Sequence, residues 1–276
     1  MSKVSRLFGY QRQTYYKRLH HREYQLDKSQ QVLERVLKER AHMPRLGTRK
    51  LHHRLSLQGI HYGRDRLFEL LRSNRLLIKP RRSYMKTTYS KHWLTKYGNL
   101  IKDKTVTAPD QIWVSDITYI PTDEGYHYLS LITDKFSRKI VGYDLSDNLK
   151  TEGALRALQM ALKQRTQGDS LIHHSDRGLQ YCSYEYQKLL AIHNIKSSMT
   201  EKGDPYENAL AERMNGILKT EFMLEDGFPN PHLAQLAIDE AIEIYNTQRP
   251  HLSLQMKTPQ QVHKTKTSED FSEVLT

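Results

Sequence analysis

A chain of 276 residues can bury one sizeable core and carry one or two small domains beside it. No run approaches the ~20 apolar residues that a bilayer span needs, and no apolar signal region opens the chain. The single cysteine, Cys182, excludes an internal disulfide framework and a multi-cysteine zinc module, so the expectation is a soluble, cytoplasmic protein with no membrane partner.

Charge is more informative by position than in total, which is a formal +12. Residues 1–104 hold 26 basic and 7 acidic side chains, a net of +19, while residues 105–276 hold 17 and 24, a net of −7. A basic block of that size suits a polyanion, because Lys and Arg gain affinity by releasing counterions from phosphates. A generically basic, solvated surface would carry the same charge. This block, however, interleaves Arg and Lys with Leu at helical spacing, which lysine-rich tails do not.

In chain order, residues 4–20 read as a short helix, a turn at Gly9 and a second helix carrying Arg12, Tyr15, Tyr16 and Arg18. That is the outline of a helix-turn-helix whose second helix enters the major groove. Residues 28–41 then form an amphipathic helix with Val32, Leu33, Val36 and Leu37 on one side. A second helix pair follows: Thr48 caps a helix running to about Leu57, Gly59 breaks it, and Gly63 opens another to about Asn74. Leu51, Leu55, Leu67, Leu70 and Leu71 supply its core, and Arg49, Lys50, Arg54, Arg64, Arg66 and Arg72 decorate the outside. Either pair alone reads equally well as an αα-hairpin that merely packs; two in one basic block favour DNA. Residues 79–108 are polar, basic and aperiodic, a linker whose Arg81 and Arg82 are candidates for lying along a phosphate backbone. A plain tether is the alternative.

The pattern changes after Pro109. Residues 111–120, 126–134 and 139–145 read as three short strands at hairpin spacing. A helix over 151–165, a strand at 171–176, a helix at about 184–193, a strand near 195–199 and helices at about 206–222 and 232–246 complete the region. Antiparallel strands followed by alternating helix and strand imply a mixed α/β sheet covered by helices. The expected boundaries are helical segments at 1–43 and 44–84, a linker at 85–108, a catalytic core at 109–262 and a polar tail at 263–276.

Two acids sit where acids are costly or need a partner. Asp116 lies in a strand among apolar neighbours, and Asp176 ends another strand before Arg177 and Gly178. Acids converging at strand ends call for a counter-charge, and a divalent cation is the usual one; singly, each reads as readily as a structural salt bridge or a cap. Glu212 lies on a helix whose Asn208, Glu212, Asn215 and Lys219 fall on one stripe, with Leu210, Met214, Ile217 and Leu218 turned away to pack. A solvated polar face would be richer in Glu and Lys, with less reason to repeat Asn.

With Asp116 inside WVSDITYI and Asp176 and Glu212 separated by thirty-five residues, the chain resembles the Asp-Asp-Glu core of retroviral-type integrases and bacterial insertion-sequence transposases. The blocks HSDRGLQY (174–181), DPYENALAER (204–213) and YNTQRPHLSLQMKTP (245–259) are more specific. They are similar to the insertion-sequence-three family, in its catalytic, second-reading-frame product, over about residues 44–262.

The resemblance implies a ribonuclease-H-like, five-stranded mixed sheet flanked by helices, preceded by small all-α helix-turn-helix domains. It implies Asp116, Asp176 and Glu212 as catalytic residues holding two Mg²⁺ or Mn²⁺ ions for in-line phosphoryl transfer, with 3′-end cleavage followed by strand transfer. The implied partners are double-stranded DNA (terminal inverted repeats and target), further copies of the chain in a synaptic complex, and the upstream-frame product. Lys219, Asn208 and Asn215 are candidate DNA contacts. His174, on the strand face of Asp176, is a candidate for a phosphate or metal-bound water, or for packing. Integrases fold their amino-terminal domain around a His/Cys zinc site; His52 and His53 have no cysteine partners, so these helices must rely on apolar packing. A metal nuclease without strand transfer and a non-catalytic DNA-binding regulator remain as alternatives.

Overall fold

The computed structural model describes residues 12–79, 94–102, 104–165, 170–201 and 208–265. The chain divides into two units, residues 1–79 and 80–276.

The first unit is helical. Helix α1 spans Arg12–His42, α2 Thr48–Leu57 and α3 Arg64–Ser73. The long α1 corrects one expectation, since residues 12–20 and 28–41 belong to one continuous helix. The intervening HREYQLD contains neither Gly nor Pro, so nothing interrupts propagation once the helix has nucleated; the expected turn at Gly9 lies outside the described residues. Val32 and Val36 of α1, Leu51 and Leu55 of α2, and Leu67 and Leu71 of α3 are all buried. Gly59 adopts the left-handed φ of 76° expected of the break after α2. Thr48, expected as a cap, is instead the first helical residue and is buried, with Gly47 at the cap position. Arg40 bonds the carbonyls of Leu76 (2.6 Å) and Leu46 (3.3 Å), tying the α1–α2 connection and the segment after α3 to α1.

The second unit is built on a five-stranded sheet ordered β3-β2-β1-β4-β5. Its strands are β1 Ile112–Thr122, β2 Gly125–Asp134, β3 Ile140–Ser146, β4 Ile172–Ser175 and β5 Lys196–Met199. The first three pair antiparallel, and β4 and β5 join in parallel, as the helices between them require. The helices are α4 Thr151–Gln164, α5 Leu179–Cys182, α6 Tyr184–Ile192, α7 Ala209–Glu221, α8 Pro231–Thr247 and α9 Pro259–His263.

Strand alternation sorts the two faces. Trp113 and Ile132 join Leu158, Leu171, Tyr186 and Leu190 in the core beneath α4 and α6. Ile112, Val114 and Ile172 turn the other way and meet Ala211 of α7. On β3, Gly142 lies so close to α4 that a Cβ would sit 2.2 Å from the Ala157 carbonyl oxygen, so only glycine allows this packing. Buried Asp134 orders the β2–β3 turn, accepting from the Ser137 backbone N–H (2.7 Å), the Ser137 hydroxyl (2.6 Å) and the Asp110 N–H (2.9 Å).

Candidate active site

Asp116 lies in mid-β1 on the face that α7 covers. Parallel pairing aligns Ser115 with Ser175, so the following residues, Asp116 and Asp176, emerge side by side where the β1–β4 ladder ends. Helix α7 crosses this point and is fastened there by two amides. The Asn208 side chain donates to the Ser115 carbonyl (3.0 Å), and the Asn215 side chain donates to Asp116 Oδ2 (2.8 Å). The remaining carboxylate oxygen of Asp116 accepts from the Ile117 N–H (2.9 Å), and Asp176 Oδ1 accepts from the Gly178 N–H (2.9 Å).

Beneath β1, on the opposite face, the Ser115 hydroxyl (2.7 Å) and the Tyr186 hydroxyl (2.9 Å) both meet His173 Nε2. Burial holds this imidazole down to about 3, with the neighbouring His174 adding to the effect, so it is neutral. The network fixes the backbone immediately before Asp116 from below, while Asn208 fixes the same residue's carbonyl from above.

The three acids feel one another. Burial, and then the charge of Asp176, push Asp116 up to about 7; the Ile117 N–H and Asn215 oppose the shift, and Glu212 adds to it. Glu212, exposed on α7, is also held above its ordinary range, first by partial desolvation and then by Asp176. Lys219 is lowered by burial, with Glu225 and then Asp116 pulling it back up.

Among the described residues, no group of three or more His, Cys, Asp or Glu side chains closes tightly enough to hold a metal ion. Mutual repulsion accounts for an open arrangement of three carboxylates. The donor set nevertheless fits a hard divalent cation: it is all oxygen, Asp116 and Glu212 are held in the neutral direction by desolvation and then by the charge of Asp176, and the buried Oδ1 atoms of Asn208 and Asn215 have no hydrogen-bond partner.

The structure redistributes the expected DNA contacts. Asn208 and Asn215 are buried and turned onto β1 and Asp116 rather than outward. His174 is fully buried with its Nδ1 at 2.9 Å from the Ser198 hydroxyl, so a DNA phosphate cannot reach it. Lys219 is half-buried near Asp116. In the helical unit, Arg54 is committed to an ion pair with buried Glu39, which also accepts from Gln58 (2.5 Å). Arg64 pairs with its neighbour Asp65 at the surface (2.8 Å). Arg18, Arg49 and Arg66 are exposed and Lys50 is half-buried. Arg12 opens α1, and Arg81 and Arg82 lie outside the described residues.

Within the 245–259 block, the sequence alone assigns no role to a single residue. Here Asn246 makes two bonds to the backbone of Ile140 (3.0 Å each), Tyr245 donates to the Arg138 carbonyl (2.8 Å), and Arg249 grips Glu221 with two bonds (2.8 and 2.7 Å). The available signal was the placing of Asn246 and Arg249 at the end of an amphipathic helix, just before Pro250.

Comparison with known proteins agrees with this architecture. Two family profiles, both described as integrase core domain, match residues 106–205 and 193–259. The uncharacterized 31 kDa protein of insertion element IS600 from Shigella sonnei is 39% identical over 91% of this chain and 94% of its own. The transposase InsF of insertion sequence IS3A from Escherichia coli K12 is 36% identical over 75% of this chain and 73% of its own. Among solved structures, a chain of the simian T-cell lymphotropic virus intasome, in complex with PP2A regulatory subunit B56 gamma, shares the fold. Its TM-score is 0.52 at 21% identity, covering 80% of this chain and 71% of that one. With identities above a third across most of both sequences, the chain belongs to the insertion-sequence-three family of transposases with an integrase-type catalytic core.

Proposed function

We propose that the chain cleaves the ends of its insertion sequence and joins the freed 3′-hydroxyls to DNA, with Asp116, Asp176 and Glu212 as the catalytic carboxylates. The observation that carries this reading is the placement of Asp116 and Asp176 at the end of one parallel ladder, within electrostatic reach of Glu212 on the helix above. These three side chains would hold two Mg²⁺ or Mn²⁺ ions, which supply charge stabilisation for in-line phosphoryl transfer when bound.

The protein's own groups prepare that chemistry. Asn215 and the Ile117 N–H hold the Asp116 carboxylate in one orientation and oppose its protonation. The Gly178 N–H does the same positional work for Asp176. Lys219, two turns further along the same face of α7, offers an ammonium group to a phosphate beside the carboxylates. The exposed Arg18, Arg49 and Arg66 would bind the DNA backbone by charge. Since element ends must be brought together before joining, the active form is an assembly of several copies on double-stranded DNA.

The test is to incubate the protein with a labelled duplex carrying the element end, with Mg²⁺ or Mn²⁺. Nicking at the end followed by a joined product is expected, both lost in Asp116→Asn. Hydrolysis with no joined product would leave a nuclease; binding of the end duplex with neither product, and cellular activity unchanged in Asp116→Asn, would leave a non-catalytic DNA-binding regulator.

A further inference from the structure

Glu212, Asn215 and Lys219 all ride on α7, so the rotation and pitch of that helix set the site. Its first half packs Ala211 on the sheet and is hydrogen-bonded there through Asn208 and Asn215, next to carboxylates that repel Glu212. A second fastening that opposes that repulsion sits at the other end. Glu221, in the last turn of α7, is held by both forks of Arg249, and Arg249 is 3% exposed. A bidentate guanidinium–carboxylate pair fixes orientation as well as distance, which a single ammonium contact does not.

The loop that bears Arg249 is itself anchored. Arg249 Nη1 lies 2.7 Å from His251 Nε2, and its guanidinium lies over the Tyr245 ring, 5.7 Å from the centroid. Tyr245 bonds the Arg138 carbonyl and contacts Met214 Sδ in mid-α7, while Asn246 brackets Ile140 at the start of β3. The end of α7 is therefore bolted to the sheet edge through α8.

We infer that Arg249 is a positioning residue, whose grip on Glu221 holds α7 at the angle that presents Glu212 to Asp116 and Asp176; this rests on the reading of Glu212 as part of a phosphoryl-transfer site. The lever arm makes the effect large. Glu212 precedes Glu221 by nine residues, about 13 Å at 1.5 Å per residue, so a tilt of about 5° displaces it by about 1 Å. A misplacement of that size can cost about 100-fold in rate.

Arg249→Lys in the full chain tests this, since it keeps the charge and loses the fork. Hydrogen exchange should rise about tenfold or more at the amides of residues 209–217 while β1 and α4 keep theirs. Single-turnover end cleavage should fall about 10- to 100-fold with DNA affinity within about twofold. Unchanged exchange in α7, or a uniform rise across the sheet as well, would overturn the inference, as would cleavage within about twofold of the parent. If Arg249→Lys fails to fold, Glu221→Gln, which keeps the side-chain shape, is read by the same two outcomes. Absence of cleavage in the parent, with α7 exchange still responding, would fell the functional reading and leave the positioning role standing.

Discussion

Two regions of this molecule concentrate charge of one sign, and they do so differently. At the carboxylate site, Asp116 and Asp176 emerge where the β1–β4 ladder ends, with Glu212 on the helix above, and the fold desolvates Asp116 and aims hydrogen-bond donors at each strand acid. On the helical unit, Arg18, Arg49 and Arg66 are spread over exposed helix faces. The first arrangement raises proton affinities and creates a demand for a specific counter-charge. The second is screened by salt within about 10 Å and serves a diffuse polyanion. Burial, more than charge, separates a reaction centre from an attractive surface.

The largest test of that contrast removes one of the three acids. Asp116→Asn, Asp176→Asn or Glu212→Gln should each lower end cleavage by about 10³-fold or more, since no other group can take over a ligand position. Affinity for the end duplex, measured without divalent metal, should stay within about threefold, because the basic unit is untouched. A comparable loss of binding in these variants would show that the two regions are not separable.

The same contrast separates what could be read in the sequence from what could not. Alternation placed β1 to β5 nearly at their observed bounds, and the helical stripe put Asn208, Glu212, Asn215 and Lys219 on one face. Periodicity reports which residues share a face but not what that face meets. The two asparagines therefore read as outward groups, although they bond Ser115 and Asp116 across about a hundred positions of chain. Arg54 misled for the same reason: a basic residue on a basic helix gives no local sign that Glu39 of another helix waits for it. The roles of Asn246 and Arg249 are wholly tertiary, so the 245–259 block was visible as a motif without a mechanism. The continuity of α1 was legible locally, in a stretch free of Gly and Pro, and the helix-turn-helix outline drew attention away from it.

A second test uses pH. The folded protein holds Asp116 up to about 7, above the 3.8 of an unfolded aspartate, so its contribution to stability is full below about pH 4 and is lost as pH rises through about 7. At 1.36 kcal/mol per unit, the upper limit of that loss is about 4 kcal/mol, and water at the half-buried carboxylate reduces it to about 2. Metal-free Asp116→Asn should therefore melt at a higher temperature than the parent at pH 8 and converge with it near pH 4. Mg²⁺ should raise the parent's midpoint at pH 8 and leave the variant's nearly unchanged. Equal melting curves at both pH values would mean that the carboxylates are not in conflict.

Third in size is Arg54, a cation of the helical unit committed to an ion pair with buried Glu39. Arg54→Met leaves the Glu39 carboxylate without its charged partner, at a cost on the order of 2 kcal/mol, toward the low end for buried pairs because both side chains retain some exposure. Its denaturant midpoint should fall, while the salt dependence of DNA binding keeps its slope. A reduced slope with full stability would return Arg54 to the DNA-facing set.

Smallest per residue, and the mirror image of Arg54, are the exposed cations Arg49 and Arg66. Each change to Gln should leave stability within about 0.5 kcal/mol, as surface positions without partners generally do. DNA affinity should fall about three- to tenfold at low salt, by a similar factor for specific and unrelated duplexes, because phosphate contacts carry no sequence information. If each side chain neutralises one phosphate, the slope of log K against log salt should shrink by about one per substitution. A loss confined to the element end would instead make that arginine a base-reading residue, and no change in slope would place it away from DNA. The two regions would then differ in the way they can be dismantled: the carboxylate site fails at once when a single residue is changed, whereas the basic helices weaken by increments that salt can mimic.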